Sequence, residues 1–124
     1  MSIFSGLTGN VSEVDIEKLK DEYSKILAEN ERLERAYKLV RDLFIFTSKR
    51  IILVDKQGMT AKKIEYHSIP YKNVRHYSIE SSGHFDLDAQ LKIWVAGLNN
   101  PIAKKFNKKC NIYDVQKTLS EYVL

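Results

Sequence analysis

Apolar residues near the start of the chain recur at helical spacing and predict an amphipathic helix. Residues 1–11 are rich in Gly and Ser and are predicted to form a loose arm. Ser12 fits a helix N-cap, with Asp15 three residues later in the position of a capping box. The predicted helix therefore spans 12–28. Its apolar face is formed by Ile16, Leu19, Tyr23, Ile26 and Leu27.

Between residues 31 and 106 apolar residues alternate with polar ones, a period that is typical of β-strands. Turn-forming Gly, Pro, Asn and Ser residues divide this region into short segments. We predict seven strands, at 33–39, 43–47, 50–55, 62–68, 74–81, 89–96 and 102–106. Successive strands without intervening helices predict an antiparallel meander that curls into a partly open barrel.

A second amphipathic helix is predicted over 111–123. Asn111 fits its N-cap, with Asp114 at the third position after it. The apolar face of this helix is expected to cap an open end of the barrel. The sequence therefore predicts one mainly β domain over 1–124, with an extra helix before the barrel and a capping helix after it.

Two of the predicted strands carry apolar residues on both faces. These segments are Leu43–Phe46 and Ile51–Val54, whereas a strand with one solvated face alternates. Either the helix over 12–28 or a neighbouring subunit could cover the outer face of these strands. Trp94 lies opposite the apolar face of its own strand and is predicted to point outward, as interface anchors do. The predicted contact residues are Leu43, Ile45, Ile52, Val54 and Trp94.

The composition is that of one ordinary globular domain. The chain has 124 residues, 44% of them hydrophobic, which is enough to bury one core without disulfides or metal. The net charge of +4 is mild and no nucleic-acid recognition motif is present, so nucleic acid is not an expected partner. The single cysteine, the lack of a secretory signal and the absence of an apolar run near ~20 residues indicate the cytoplasm.

Basic residues form three clusters that could contact an anionic surface. They are Lys49 with Arg50, Lys62 with Lys63, and the group Lys104, Lys105, Lys108 and Lys109. Each Lys near an anionic membrane is worth about 1 kcal/mol, so several converging lysines would support peripheral binding. A solvated rim that keeps the domain soluble is the simpler interpretation of such charge runs.

One segment has the spacing of a metal site. His84, Asp86 and Asp88 stand at every second residue, so in a strand they would share one face. A polar turn explains the same residues equally well, and two carboxylates with one imidazole are a thin ligand set. No metal or cofactor is therefore expected.

Catalysis finds little support in the sequence. Cys110 precedes a predicted helix, but no Gly-rich nucleophile turn surrounds it and no histidine is identified as its base. His67 and His76 would face each other if Pro70 lay in a simple hairpin, although paired surface histidines are more often incidental. No phosphate-binding loop, dinucleotide fingerprint or HExxH motif occurs. An enzyme is not expected.

Several stretches resemble the bacterial pleckstrin-homology (PH) domain family. They are RDLFIFTSKRIILVDKQG at 41–58, YHSIPY at 66–71, GHFDLDAQLKIW at 83–94 and the ending at 112–117. The resemblance covers nearly the whole chain and implies a seven-stranded PH-like barrel with a C-terminal cap. It implies no catalytic residues. It also implies self-association, because small bacterial PH domains of this type tend to form ring-like homo-oligomers.

Many PH domains bind phosphoinositides through basic residues in a roomy loop between the first two strands. Here that connection, Lys38–Asp42, is short and carries an acid, so specific inositide recognition is not expected. We expect a cytoplasmic interaction and assembly module that binds copies of itself and an unidentified protein partner. Weak contact with anionic membrane lipids through the lysine clusters is the alternative.

Overall fold

The computed structural model describes residues 14–39, 42–57, 63–81, 88–107 and 110–124. Its helices are α1, Ile16–Tyr23, and α2, Ile112–Val123, with short 3₁₀ turns at Ser24–Ile26 and Tyr71–Asn73. Its strands are β1 Leu33–Lys38, β2 Leu43–Thr47, β3 Arg50–Gln57, β4 Lys63–Pro70, β5 Val74–Glu80, β6 Ala89–Val95 and β7 Ile102–Phe106. Each strand lies within two residues of its predicted bounds.

The strands form two antiparallel sheets. β1, β2, β3 and β4 follow one another in a four-stranded sheet, and β5, β6 and β7 form a three-stranded sheet. The seven antiparallel strands and the two flanking helices are confirmed, and the residues that the structure describes form no closed barrel. The chain changes sheet after Pro70, which has no N–H to donate to a further strand.

The main core lies between the two sheets and α2. Phe44 and Phe46 of β2 and Leu91 of β6 are fully buried there. Val115 and Leu119, four residues apart on one face of α2, pack against them. Burial of one large apolar side chain contributes about 1.5–3 kcal/mol. Helix α2 is therefore stabilised mainly by packing.

Helix α2 begins where the sequence predicts it. The Asn111 side chain accepts hydrogen bonds from the N–H groups of Tyr113 at 3.1 Å and Asp114 at 3.3 Å. The Asp114 carboxylate in turn accepts the hydroxyl of Tyr37 at 2.8 Å and pairs with Arg35 at 2.7 Å. The first turn of α2 is thereby joined to β1.

A second core fills the space between α1 and the outer face of the four-stranded sheet. Ile16, Leu19 and Tyr23 of α1 are buried in it. The sheet contributes Leu33, Ala36, Leu43, Ile45, Ile52 and Val54. β2 and β3 are therefore buried on both faces, which explains their unbroken apolar sequence. Of the two covers that the sequence leaves open, α1 is the one that the structure contains.

Helix α1 begins later than predicted. Its N-cap is Asp15, whose side chain accepts a hydrogen bond from the N–H of Glu17 at 3.0 Å. Val14, just before the cap, donates its own N–H to the Ala36 carbonyl of β1 at 2.9 Å. This bond holds Val14 against the edge of β1, so the helix starts only after it.

Helix α1 also ends earlier than predicted. The α-helix stops at Tyr23 and a single 3₁₀ turn follows at Ser24–Ile26. Asn30 then has a positive φ of 70°, a conformation that Asn adopts more readily than most residues. The chain turns there into β1. The arm expected at 1–11 and the predicted cap Ser12 lie outside the described residues.

Replacing Ile52 with Ala is expected to lower the free energy of unfolding by about 2–5 kcal/mol, because the change leaves a cavity under α1. Ile64→Ala is the matched control, since Ile64 is 39% exposed whereas Ile52 is fully buried. The control is expected to change stability by less than about 1 kcal/mol. Urea unfolding measures both, and equal losses would contradict the second core.

Candidate functional site

Four of the five predicted contact residues lie inside the protein. They are Leu43, Ile45, Ile52 and Val54, all in the second core beneath α1. While α1 is docked these side chains are shielded from other chains, so a contact role for them requires α1 to move away. A continuous apolar pattern is the same whether a helix of the chain or a neighbouring subunit covers the strand. Only the packing distinguishes the two.

The fifth predicted contact residue, Trp94, lies on the outer face of the three-stranded sheet. Leu91 and Ile93 of β6 point into the main core, so Trp94 takes the opposite side. Trp94 pairs with His76 of β5, and the two rings stack with centroids 4.4 Å and planes 24° apart. The indole is half-buried and the imidazole is exposed. Together they form an aromatic platform at the surface.

The rest of this outer face is polar except for one alanine. Its residues are Ser78 and Glu80 of β5, Gln90 and Lys92 of β6, and Ala103 and Lys105 of β7. The β5 and β7 residues of this set are exposed. The two sheets therefore differ: the outer face of the four-stranded sheet is packed against α1, whereas that of the three-stranded sheet meets solvent.

Two of the predicted basic clusters stand far apart. Lys49 lies in the turn between β2 and β3, whereas Lys63 begins β4 opposite Gln57. The length of the β3–β4 hairpin separates them by about 23 Å, since each strand residue adds about 3.3 Å. These two lysines cannot bind one phosphate group together.

The third basic cluster is divided between a buried edge and the surface. Lys104 pairs with Asp42 of the β1–β2 connection at 3.5 Å, with both side chains mostly buried. Lys105, its neighbour, is exposed on the opposite face of β7. The remaining predicted basic residues, Lys62, Lys108 and Lys109, lie outside the described residues.

Arg50, the last of the predicted anionic contacts, is engaged within the chain. Its guanidinium donates from Nε to Glu31 Oε2 at 2.8 Å and from Nη2 to Glu31 Oε1 at 2.9 Å. It also donates to the Ile26 carbonyl and to Ser68 Oγ, both at 2.7 Å. This two-point ion pair, with charge-assisted bonds on either side, leaves little of Arg50 for an external anion.

The carboxylate of Glu31 is almost fully buried and has further partners. It accepts the Thr47 hydroxyl at 2.6 Å and the backbone N–H of Ala28 at 2.8 Å. Burial alone would raise the pKa of Glu31, but the hydrogen bonds from Arg50, Thr47 and Ala28 outweigh it and lower the pKa to about 2. The sequence carries no local signal for this pair, because its members are 19 residues apart.

An open groove of about 290 Å³ borders this ion pair. It is lined by Lys20, Ser24, Leu27, Glu31, Arg32 and Leu33. The buried carboxylate in its wall is already neutralised by Arg50. Lys20 and Arg32 at the surface are paired with Glu17 and Glu34. Among the described residues that line the groove, each acid and base is therefore already paired, and none is left for proton transfer.

Within the part of the chain that the structure describes, the other candidates for chemistry are not brought together. His67 lies in the four-stranded sheet and His76 in the three-stranded one, so the hairpin that would pair them is not formed. Cys110 is buried in the main core. Within the described part of the chain no group of His, Cys, Asp and Glu could hold a metal ion. His84 and Asp86 of the predicted metal site lie outside that part.

Antiparallel sheets of four and three strands, with a C-terminal helix packed between them, define a PH-like domain. The family model described as the bacterial PH domain matches residues 2–123. The chain therefore belongs to the bacterial PH-domain family. In the described residues no helix has the length and apolar character needed to cross a membrane.

Individual relatives share both sequence and fold with this chain. It is 50% identical over 121 residues to the uncharacterised protein YjqA of Bacillus subtilis (strain 168), a match that covers 97% of each chain. The pleckstrin homology domain from Shewanella amazonensis SB2B has 51% identity and a TM-score of 0.85 over 99% of both chains. A DUF1696 family protein with a PH domain, from Shewanella loihica PV-4, has 44% identity and a TM-score of 0.83, covering 91% of this chain and 97% of that one.

Arg50→Ala is expected to lower the free energy of unfolding by about 3–5 kcal/mol, because it leaves the Glu31 carboxylate buried without its counter-charge. Arg32→Ala is the control, since its pair with Glu34 is formed at the surface with the arginine 73% exposed. That change is expected to cost about 0–1 kcal/mol. Chemical denaturation compares the two, and similar losses would contradict a special role for Arg50.

Acid is expected to destabilise the protein through Glu31. Its folded pKa of about 2 lies below the ordinary value of 4.5, so its contribution is fully present above pH 4.5 and is lost as pH falls through 2. Glu31→Gln should be less stable at neutral pH and should lack this part of the pH dependence. Urea unfolding at a series of pH values tests it. If the free energy of unfolding of wild type and of Glu31→Gln depended on pH identically, Glu31 would not be the source of the acid sensitivity.

Proposed function

We propose that this protein is a non-enzymatic interaction module that assembles with copies of itself and presents a surface to a further protein partner. The observation that carries the proposal is the solvent-facing side of the three-stranded sheet, where Trp94 stacks on His76. The outer side of the four-stranded sheet, in contrast, is already packed against α1. The three-stranded sheet is therefore the better contact surface.

A tryptophan in this position favours a contact role. Trp is among the residues that most often dominate binding energy at interfaces, where it is buried beside polar neighbours. Stacking on His76 restricts the indole ring before any partner arrives. Less conformational freedom is then lost on association.

The proposed setting is the cytoplasm, because a chain with one cysteine cannot form an intrachain disulfide, which fits a reducing compartment. Cys110 packs in the main core, which is consistent with a structural role. Anionic lipid binding is the weaker alternative. Arg50 and Lys104 are engaged within the chain, and Lys49 and Lys63 stand at opposite ends of a hairpin.

Size-exclusion chromatography with light scattering is expected to give a clean multiple of the 14.4 kDa chain mass. Trp94→Glu should lower that mass toward 14.4 kDa, because it removes the platform and places a charge in the contact. The folded state should survive, since Trp94 lies outside both cores. Circular dichroism checks that point.

Tyr113→Glu is the control, an equally drastic change at an aromatic residue that is 63% exposed on α2. It is expected to leave the assembly mass unchanged. A wild-type protein that stays at 14.4 kDa at every concentration would overturn self-association. An assembly that persists in Trp94→Glu would place the contact elsewhere on the molecule.

A further inference from the structure

The groove beside the connection from α1 to β1 has an apolar floor and a basic rim. Leu33 belongs to the second core and the half-buried Leu27 packs against it. Lys20 and Arg32 stand at the rim, with side chains 55% and 73% exposed. The volume of about 290 Å³ lies just below the range of about 300–1,000 Å³ that is usual for small-molecule pockets. The groove is therefore better matched to one or two side chains than to a cofactor.

The wall of the groove is held in place by bonds within the chain. Arg50 donates to the Ile26 carbonyl at 2.7 Å and binds Glu31 further along the same connection. Arg32 then donates its backbone N–H to Ser48 Oγ at 3.0 Å. These bonds tie the connection from α1 to β1 to the β2–β3 hairpin. A wall fixed in this way loses little conformational freedom when a ligand binds.

A third positive charge stands close to Arg32. Besides accepting the N–H of Arg32, Ser48 donates its own N–H to the Arg32 carbonyl at 2.8 Å. The exposed Lys49 that follows Ser48 is thereby brought beside Arg32. The acid in the wall, Glu31, is already neutralised by Arg50. The rim can therefore attract an anionic group.

The rim cations are held only weakly by their partners within the chain. Lys20 pairs with Glu17 at 3.1 Å, and both side chains are more than half exposed. Pairs of this kind contribute about 0–1 kcal/mol. Arg32 pairs with Glu34 through Nη2 at 3.1 Å, and the guanidinium, with its five N–H donors, can hold a second carboxylate beside the first. Both cations can thus accept a carboxylate from outside the chain.

We propose that this groove binds an acidic peptide segment of the protein partner, with one apolar side chain against Leu27 and Leu33 and a flanking carboxylate on Arg32. The inference rests on the proposed function, because it names the surface that is presented to the further protein. Charge complementarity selects an acidic partner, and the apolar floor selects an anchor side chain within it. The groove lies apart from the Trp94 surface, so partner binding and assembly are compatible.

The experiment titrates fluorescently labelled synthetic peptides with the full chain and measures their anisotropy. The probes are EELEE and EEFEE. The control peptides are EESEE, which lacks the apolar anchor, and KKLKK, in which the charge is reversed. Each probe is expected to bind at least about tenfold more tightly than either control, because both the anchor and the charge contribute to recognition.

Two variants separate the parts of the site. Arg32→Glu should weaken EELEE binding at least about tenfold, because it places a like charge against the peptide. Ser24→Phe should weaken it without a change of charge, since Ser24 is exposed in the groove and the ring would fill the space. Lys105→Glu is the control, the same added acid on the exposed outer face of β7, and should bind as wild type. Circular dichroism checks that each variant is folded.

Other results overturn the inference. Control peptides that bind as tightly as EELEE, or equal losses in Arg32→Glu and Lys105→Glu, would show a general attraction between charges. No binding of either probe, or unchanged binding in Ser24→Phe, would remove the groove as the site. If the wild-type chain bound phosphatidylserine vesicles instead of the peptides and Arg32→Glu did not, the groove would be assigned to a lipid surface.

Light scattering of the same proteins separates this inference from the proposed assembly. A wild-type chain that assembles but binds neither probe overturns the peptide groove and leaves self-association standing. A monomeric chain that binds EELEE through Arg32 does the reverse. A lower assembly mass in Arg32→Glu would assign the groove to a second copy of the chain. Tighter EELEE binding in Phe4→Ser would assign it to the chain's own first residues, and both results would overturn the proposed occupant.

Discussion

Strands β2 and β3 must be kept from water on both faces, and the rest of the domain is arranged around that constraint. Phe44 and Phe46 face the three-stranded sheet and α2, whereas Ile45, Ile52 and Val54 face α1. A sheet with two apolar faces needs a packed layer on each side. Among the described residues, α1 then covers the outer side of β2 and β3, whereas the outer side of the three-stranded sheet meets solvent.

The buried ion pair fixes the layer that α1 forms. Arg50 of β3 binds Glu31 just before β1 and the Ile26 carbonyl in the turn after α1. The connection from α1 to β1 is thereby held against the β2–β3 hairpin, where Thr47 supplies a further bond. Desolvation offsets much of the attraction in such a pair. The ion pair therefore acts mainly by holding the connection from α1 to β1 in one position.

Membership of the bacterial PH-domain family establishes a fold and not a ligand, since this architecture serves many roles. The site must then be argued from surface chemistry. Two of the basic residues that could contact a lipid, Arg50 and Lys104, form ion pairs within the domain instead. Among the described residues, the aromatic pair of Trp94 and His76 remains at the surface, on the outer face of the three-stranded sheet.

The sequence by itself determined the strands, helix α2 and the outward direction of Trp94, because periods of 2 and 3.6 and an Asn cap are local properties. It could not determine the start of α1, which depends on the bond between Val14 and Ala36. Nor could it decide what covers Ile52 or where Arg50 binds. These outcomes depend on contacts between distant residues, such as the 19 positions that separate Arg50 from Glu31, and only the tertiary structure brings such residues together.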